Sequence, residues 1–299
     1  MRKHPHHARR SAFTLVELLV VVSIVTILAA LGTVAAYAAI RSARQSAITN
    51  ELTQLEMALE EYNTSIGDYP PDGANRNLTQ RHIASYYRRV GIPASGIDAT
   101  AGTPFLPYFD TVNLPANQRI DQSEALVFWL ALVGTSKQYP FINPLPPSAA
   151  PDYEPVAAKL ALQNSSLRRF EFKPDRLIDP DGDGWPSYCP EYTDLSPYVY
   201  FHHDTYDLDF SATVNLAAYG HPAGNGVARP YGATGGAQFL EPRKFQIIST
   251  GLDGYYSNAA ETVGTDVFKT YPDGTNYTLE DEDNLTSFSE GKTLGDQRP

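Results

Sequence analysis

Residues 13–31 read F-T-L-V-E-L-L-V-V-V-S-I-V-T-I-L-A-A-L, and the apolar character continues to Ile40. Between Phe13 and Ile40 the one charged side chain is Glu17. As a helix rising about 1.5 Å per residue, this segment spans roughly 42 Å, enough to cross a bilayer. A carboxylate within such a segment costs about 2.5–3.5 kcal/mol to insert, so ionisable residues there generally have partners and a purpose. What offsets the charge of Glu17 therefore bears directly on function.

The preceding residues, M-R-K-H-P-H-H-A-R-R-S-A, carry Arg2, Lys3, Arg9 and Arg10 and no acid. Positive charge beside a spanning segment stays cytoplasmic, so the chain beyond Ile40 is expected on the outer side. Arg41 and Arg44 weaken that bias without reversing it. Two other readings of the segment exist. One is a plain anchor with an incidental Glu. The other is a secretory signal cut after Ala36-Tyr37-Ala38, although its apolar core would far exceed the usual length of about 7–15 residues.

The junction Arg9-Arg10-Ser-Ala12-Phe13-Thr-Leu-Val-Glu17-Leu-Leu resembles the type IV prepilin and pseudopilin family. In that family a basic leader ends in a small residue, followed by Phe and, four residues on, Glu. The resemblance implies that a prepilin peptidase cuts between Ala12 and Phe13 and methylates the new Phe13 amine. It also implies as partners other pilin or pseudopilin subunits and an inner-membrane assembly platform, with membrane lipid around the helix. Two features depart from the family pattern. Ala12 stands where Gly is usual, and no proline interrupts the helix, where Gly32 offers local flexibility instead. After cleavage the Phe13 amine carries a positive charge one turn from Glu17. Within one subunit the pair can partly neutralise itself, and in a staggered assembly Glu17 of one subunit can meet the amine of its neighbour.

Residues 41–66 continue the helix with Ile48, Leu52, Leu55, Leu59, Tyr62 and Ile66 at spacings of three and four. That spacing predicts a narrow apolar stripe for packing on a globular domain. Gly67 and Pro70-Pro71 end it. Phe13–Ile66 is thus expected to be one helix of roughly 80 Å. The organisation read from this is a leader at 1–12, a transmembrane half at 13–40, an amphipathic half at 41–66 and an extracytoplasmic head at 67–299. The exit Y-N-T-S-I-G-D-Y-P-P-D-G is similar to that of the major pseudopilins of type II secretion.

The head is rich in Pro, Gly and Tyr, which predicts short strands and many loops. Asp121-Gln-Ser-Glu124 reads as a capping box ahead of the apolar run 125–133, closed by Gly134. Residues 140–155 read as a linker, and Tyr198-Val-Tyr-Phe and Phe245-Gln-Ile-Ile-Ser as strands. The fold class expected is α+β and pilin-like: a long N-terminal helix on a small antiparallel sheet with loop-rich insertions. The chain carries a net charge of −11, which becomes −15 once Arg2, Lys3, Arg9 and Arg10 are removed. Such a balance argues against nucleic-acid binding. Cys189 is the sole cysteine, so an intrachain disulfide is impossible and a different staple is expected.

Calcium is one such staple, and two segments are candidates for it. In D-P-D-G-D-G-W-P (179–186), Asp179, Asp181 and Asp183 alternate as in the front of a calcium loop, but Pro190 occupies the twelfth position. The alternative reading is a solvated acidic turn. The second segment, I-I-S-T-G-L-D-G (247–254), resembles the C-terminal calcium loop of major pseudopilins. That resemblance implies Leu252 (through its carbonyl), Asp253 and Asp266 as ligands, and the alternative is a tight glycine turn. Glu280-Asp-Glu-Asp283 reads as a solvated acidic face or a loose tail.

No catalytic set stands out, and an enzyme is not expected. His202-His203-Asp204 offers a zinc or acid–base group without an H-E-x-x-H context, so a polar strand end is the simpler reading. The function expected is a structural subunit of a type II secretion pseudopilus supporting protein export. The alternatives are a type IV pilin or minor pilin (adhesion, motility or DNA uptake) and, further off, a membrane-tethered hydrolase.

Overall fold

A computed structural model describes residues 14–89, 120–132, 168–182, 185–193, 195–208, 216–236, 238–264 and 267–299. The chain divides into two compact units, Met1–Arg44 and Gln45–Pro299. Helix α1, Leu15–Ile66, contributes to both. It begins two residues later than the expected Phe13, because Thr14 is its N-cap: the Leu18 N–H reaches the Thr14 carbonyl at 3.2 Å. It runs through Gly32 without interruption.

In the first unit every described side chain is exposed, including the large apolar ones from Leu15 to Ile40. This is the helix that is long and apolar enough to cross a membrane. Its Ser and Thr hydroxyls between Leu15 and Ile40 are satisfied internally, as hydrocarbon favours. Ser23 donates to the Val20 carbonyl at 2.8 Å, Thr33 to Ala29 at 2.8 Å, and Thr26 to Val22.

In the second unit α1 buries Ile48, Leu52, Leu55, Ala58, Leu59, Tyr62 and Ile66, the predicted stripe with Ala58 added. Gly67 ends the helix at φ +93°, a conformation that favours glycine, and its N–H bonds to the Asn63 carbonyl at 2.6 Å. Helix α2, Arg76–Arg89, follows. The Asp121–Glu124 box forms: the Glu124 carboxylate accepts the Asp121 N–H at 3.1 Å, and Asp121 accepts the Ser123 N–H at 2.8 Å. It opens one short turn, α3 (Ala125–Val127), which widens into a π-turn over Phe128–Leu132. The expected closure at Gly134 and the 140–155 linker lie outside the described residues.

The head is α+β. Its centre is an antiparallel sheet of β3 (Val199–His202), β7 (Phe245–Ser249) and β9 (Leu285–Thr286), in the order β3-β7-β9. The register pairs Val199 with Ile248, His202 with Phe245, and Ile248 with Thr286. Every residue of β3 and β7 is buried, so both sheet faces are covered. Tyr200, Phe245, Ile247 and Leu285 join the α1 stripe, Trp129 and Trp185 in one core. Val199, Phe201 and Ile248 join Tyr219, Tyr231, Tyr256 and Leu294 in a second. The loop-rich segments after β3 thus supply most of the second core. Gln246, buried there, accepts the Tyr231 N–H at 2.7 Å and donates to the Tyr231 and Leu240 carbonyls.

Smaller two-residue pairs complete the head. β1 (Leu177–Ile178) pairs antiparallel with β2 (Ser187–Tyr188), and β4 (Tyr219–Gly220) antiparallel with β5 (Val227–Ala228). β6 (Gly232–Ala233) pairs with β8 (Thr270–Tyr271) in parallel.

Candidate assembly site

Thr14-Leu-Val-Glu17 is a capping box at the head of the apolar helix. Its pattern, Thr followed three residues later by Glu, was legible in the sequence and was overlooked there. The Glu17 carboxylate accepts the Thr14 N–H and the Thr14 hydroxyl, both at 2.9 Å. In return the Glu17 N–H reaches the Thr14 Oγ1 at 3.2 Å. Two backbone donors that would otherwise be orphaned at the helix start are therefore satisfied. The carboxylate also sits at the positive end of the helix dipole. Its oxygens keep acceptor capacity beyond these bonds, because a carboxylate offers about four lone-pair sites. Ala12 and Phe13 lie outside the described residues. Phe13 is covalently next to Thr14, so any charge at its nitrogen arises one residue from this box.

Residues 7–33 match the prokaryotic N-terminal methylation motif. The chain carries the signature of type IV pilin and pseudopilin precursors. Comparison with curated proteins and with solved structures gives no match. The motif is that of structural subunits processed by prepilin peptidase and assembled with other pilins. The apolar helix and the motif together fit anchoring of the chain in the inner membrane.

Three acidic stretches of the head bear on metal binding and solvent exposure. Asp179 and Asp181 lie in the loop of the β1–β2 hairpin. Asp179 is exposed and accepts the Gly182 N–H at 2.9 Å, closing its own turn. Asp181 is half-buried, and its charge is one of the influences that raise Asp121 to a pKa of about 6, after loss of solvation. Asp183 lies outside the described residues.

At the turn after β7, Leu252 is half-buried and Asp253 exposed, and the Asp253 carboxylate accepts the Tyr255 N–H at 2.9 Å. The N–H groups of Leu252 and Asp253 converge on one Asp283 oxygen, at 2.7 and 3.1 Å. Gly251 has φ +65°, and a Cβ there would collide with the Asp283 backbone carbonyl. Asp266 lies outside the described residues. The carboxylate brought to the turn is Asp283, from the run expected to be solvated.

That expectation for residues 280–283 is corrected by the fold. They form a 3₁₀ turn, and Asp281 is fully buried. The reason is non-local: Lys269, Tyr231 and Thr278 all donate to its carboxylate. A buried charge is tolerated when it is paired and hydrogen-bonded in this way.

His202, His203 and Asp204 bring possible ligand atoms within 4.8 Å of one another. The buried His202 accepts the Asp204 N–H through Nδ1 at 3.1 Å, so its hydrogen is on Nε2, facing Asp68 at 4.0 Å. That tautomer leaves no lone pair at Nε2 for a metal. Burial, with the nearby charge of His203 second, pushes His202 down to a pKa of about 2 and keeps it neutral. His203 Nδ1 bonds the Lys244 carbonyl at 3.0 Å. The group behaves as the polar end of β3.

The polar site that sequence reasoning missed altogether is on α1. Glu51 accepts from Arg176 Nη1, Tyr188 Oη and Tyr198 Oη, each at 2.9 Å, and from Arg176 Nη2. A Glu beside a stripe of Leu residues carries no sequence signal of burial, and its partners lie more than a hundred residues away.

Proposed function

We propose that the chain is a subunit of a type II secretion pseudopilus. In this reading prepilin peptidase cuts between Ala12 and Phe13 on the cytoplasmic side and methylates the Phe13 amine. The mature subunit is single-pass, with its head outside the cytoplasm. It assembles through α1, and Glu17 of one subunit pairs with the Phe13 methylammonium of the next. The observation that carries this is the Thr14–Glu17 box within the methylation motif: an ionisable carboxylate at the mouth of a membrane-length helix, four residues from the new amine. Cleavage turns an amide into a cation at that spot, and opposite charges in a low-dielectric setting attract strongly.

A type IV pilin or minor pilin is the second reading. It is favoured by a head that builds a whole second core on the sheet, an elaboration suited to a subunit with its own surface role. Filament formation by the mature protein alone, seen by electron microscopy, supports a major subunit; filaments only in the presence of other pilins support a minor one.

Calcium belongs to the same proposal as a staple of the turn after β7, with the Leu252 carbonyl and Asp253 as ligands. Asp283, drawn to that turn, supplies a further carboxylate in place of the unassigned Asp266, which fits the oxygen-rich coordination calcium takes. Asp179, Asp181 and Asp183 form the other candidate. Added calcium is expected to raise the melting temperature of the purified protein by several degrees, and Asp253→Ala to abolish that rise. No shift on adding calcium or chelator removes calcium from the account.

A further inference from the structure

Lys269, Asp281 and Glu261 form a buried group that subunit assembly does not use. The side chains of Lys269 and Asp281 are 1% and 0% exposed. Lys269 Nζ is 2.7 Å from both Asp281 oxygens. Contacts to both oxygens hold Nζ near the roughly 3–3.5 Å from Cγ at which reacting atoms meet. Glu261 Oε2 is 3.2 Å from Nζ, buried, and makes no hydrogen bond among the described residues. Asp281 Oδ2 accepts the N–H and the hydroxyl of Thr278, both at 2.8 Å, and Oδ1 accepts the Tyr231 hydroxyl at 2.8 Å. The Tyr231 ring packs against Tyr277 and Phe288, each centroid at 5.6 Å, which helps to keep water out.

We propose that Lys269 and Asp281 condense to a side-chain amide, with Glu261 as the proton carrier. The Lys269 ammonium gives one proton to Glu261. Glu261 passes this proton to Asp281 Oδ1, and the free amine attacks Cγ of the neutral carboxyl, so that the Nζ–Cγ bond forms. Oδ2, held by two Thr278 donors, carries the negative charge of the tetrahedral intermediate, as oxyanion-stabilising donors do. The bond from Cγ to Oδ1 then breaks. Oδ1 departs as water with the proton from Glu261 and the second proton from nitrogen. Ammonium and carboxylate become amide plus one water, Glu261 is regenerated, and no oxidant or cofactor is needed. The driving force is the removal of two charges from a buried site, where each carries a desolvation penalty, together with release of the water. Lys269 abuts β8, and Asp281 lies in the 3₁₀ turn whose neighbour Asp283 holds the turn after β7. The amide would be the covalent staple of a chain whose single cysteine permits no disulfide.

Tryptic mapping of the denatured full-length protein, extracted from membranes in detergent, tests this. Between Lys244 and Lys292 the one basic residue is Lys269. An uncondensed chain therefore gives two peptides, 245–269 and 270–292. The condensed chain gives a single peptide, 245–292, lighter by one water, because trypsin does not cut after an acylated lysine. A succinimide at Asp253–Gly254 or Asp273–Gly274 also sheds a water but leaves Lys269 cleavable, so the joined peptide is the distinguishing signature. Glu261→Gln is expected to restore the two separate peptides. Two full-mass peptides from the wild-type protein overturn the proposal, and this measurement decides it even where the variant fails to fold. A joined peptide from Glu261→Gln overturns the assignment of Glu261.

Discussion

Replacing Glu51 with Ala is expected to destabilise the head by about 3–5 kcal/mol, the range for breaking a buried ion pair from one side. The side chains of Glu51 and Arg176 are 13% and 11% exposed. Their contact combines charge with a fork of donors, since both terminal guanidinium nitrogens reach the one carboxylate. Two phenols, Tyr188 and Tyr198, complete the shell, and burial raises the pKa of both, so they donate at any physiological pH. Truncation leaves a guanidinium and two hydroxyls without their acceptor in a site closed by α1 and the β1–β2 hairpin. Glu51→Gln is expected to cost less, since the amide oxygen still accepts. Glu61→Ala, at an exposed position on the same helix, is expected to stay within about 0.5 kcal/mol of wild type. Urea titration of the detergent-solubilised protein, followed by tyrosine and tryptophan fluorescence, measures all three. A loss below about 1 kcal/mol for Glu51→Ala would show that the network does not anchor the helix to the head.

Glu17→Gln is expected to leave a processed but unassembled subunit, with the filament-associated fraction reduced roughly tenfold or more. An unpaired charge within the bilayer costs about 2.5–3.5 kcal/mol, and each 1.4 kcal/mol is a factor of ten in an equilibrium. The substitution separates two roles of Glu17. A glutamine oxygen can still accept from the Thr14 N–H and hydroxyl, so the cap at the start of α1 survives. What it cannot supply is the charge for a neighbouring Phe13 methylammonium. Shearing cells and comparing filament and membrane fractions by immunoblot reads the effect. Filament levels equal to wild type would confine Glu17 to helix capping and remove the intersubunit pairing.

The parts of the fold readable in the sequence were those in which the signal is local. The α1 stripe follows the 3.6-residue period, and every residue predicted for it is buried. β3 and β7 showed as short apolar runs between turn residues, and their burial on both faces explains why they do not alternate. The start of α1 was misjudged by two residues because the family pattern drew attention to Phe13, while the Thr14–Glu17 box marked the N-cap. β9 and the other two-residue strands are too short for any period to register. Four acids in a row at 280–283 read as solvent-facing by composition. Asp281 is inside because of Lys269, twelve residues earlier, and Tyr231, fifty residues earlier. The same holds for Glu51, whose partners are set by tertiary structure alone. At the N-terminus, Ala12, Phe13 and Glu17 were singled out on the family resemblance, and Glu17 is the one of them within the described residues. The acceptor role of Glu17 toward Thr14 was legible only as a pattern, and its bonds required the fold.

The intact mass and N-terminal sequence of the protein extracted from membranes bear most directly on the central claim. The account predicts a chain beginning at Phe13 and carrying one methyl group on its amine. A chain that retains residues 1–12, or one that begins after Ala38, would contradict it, because the cation proposed to meet Glu17 would then not exist.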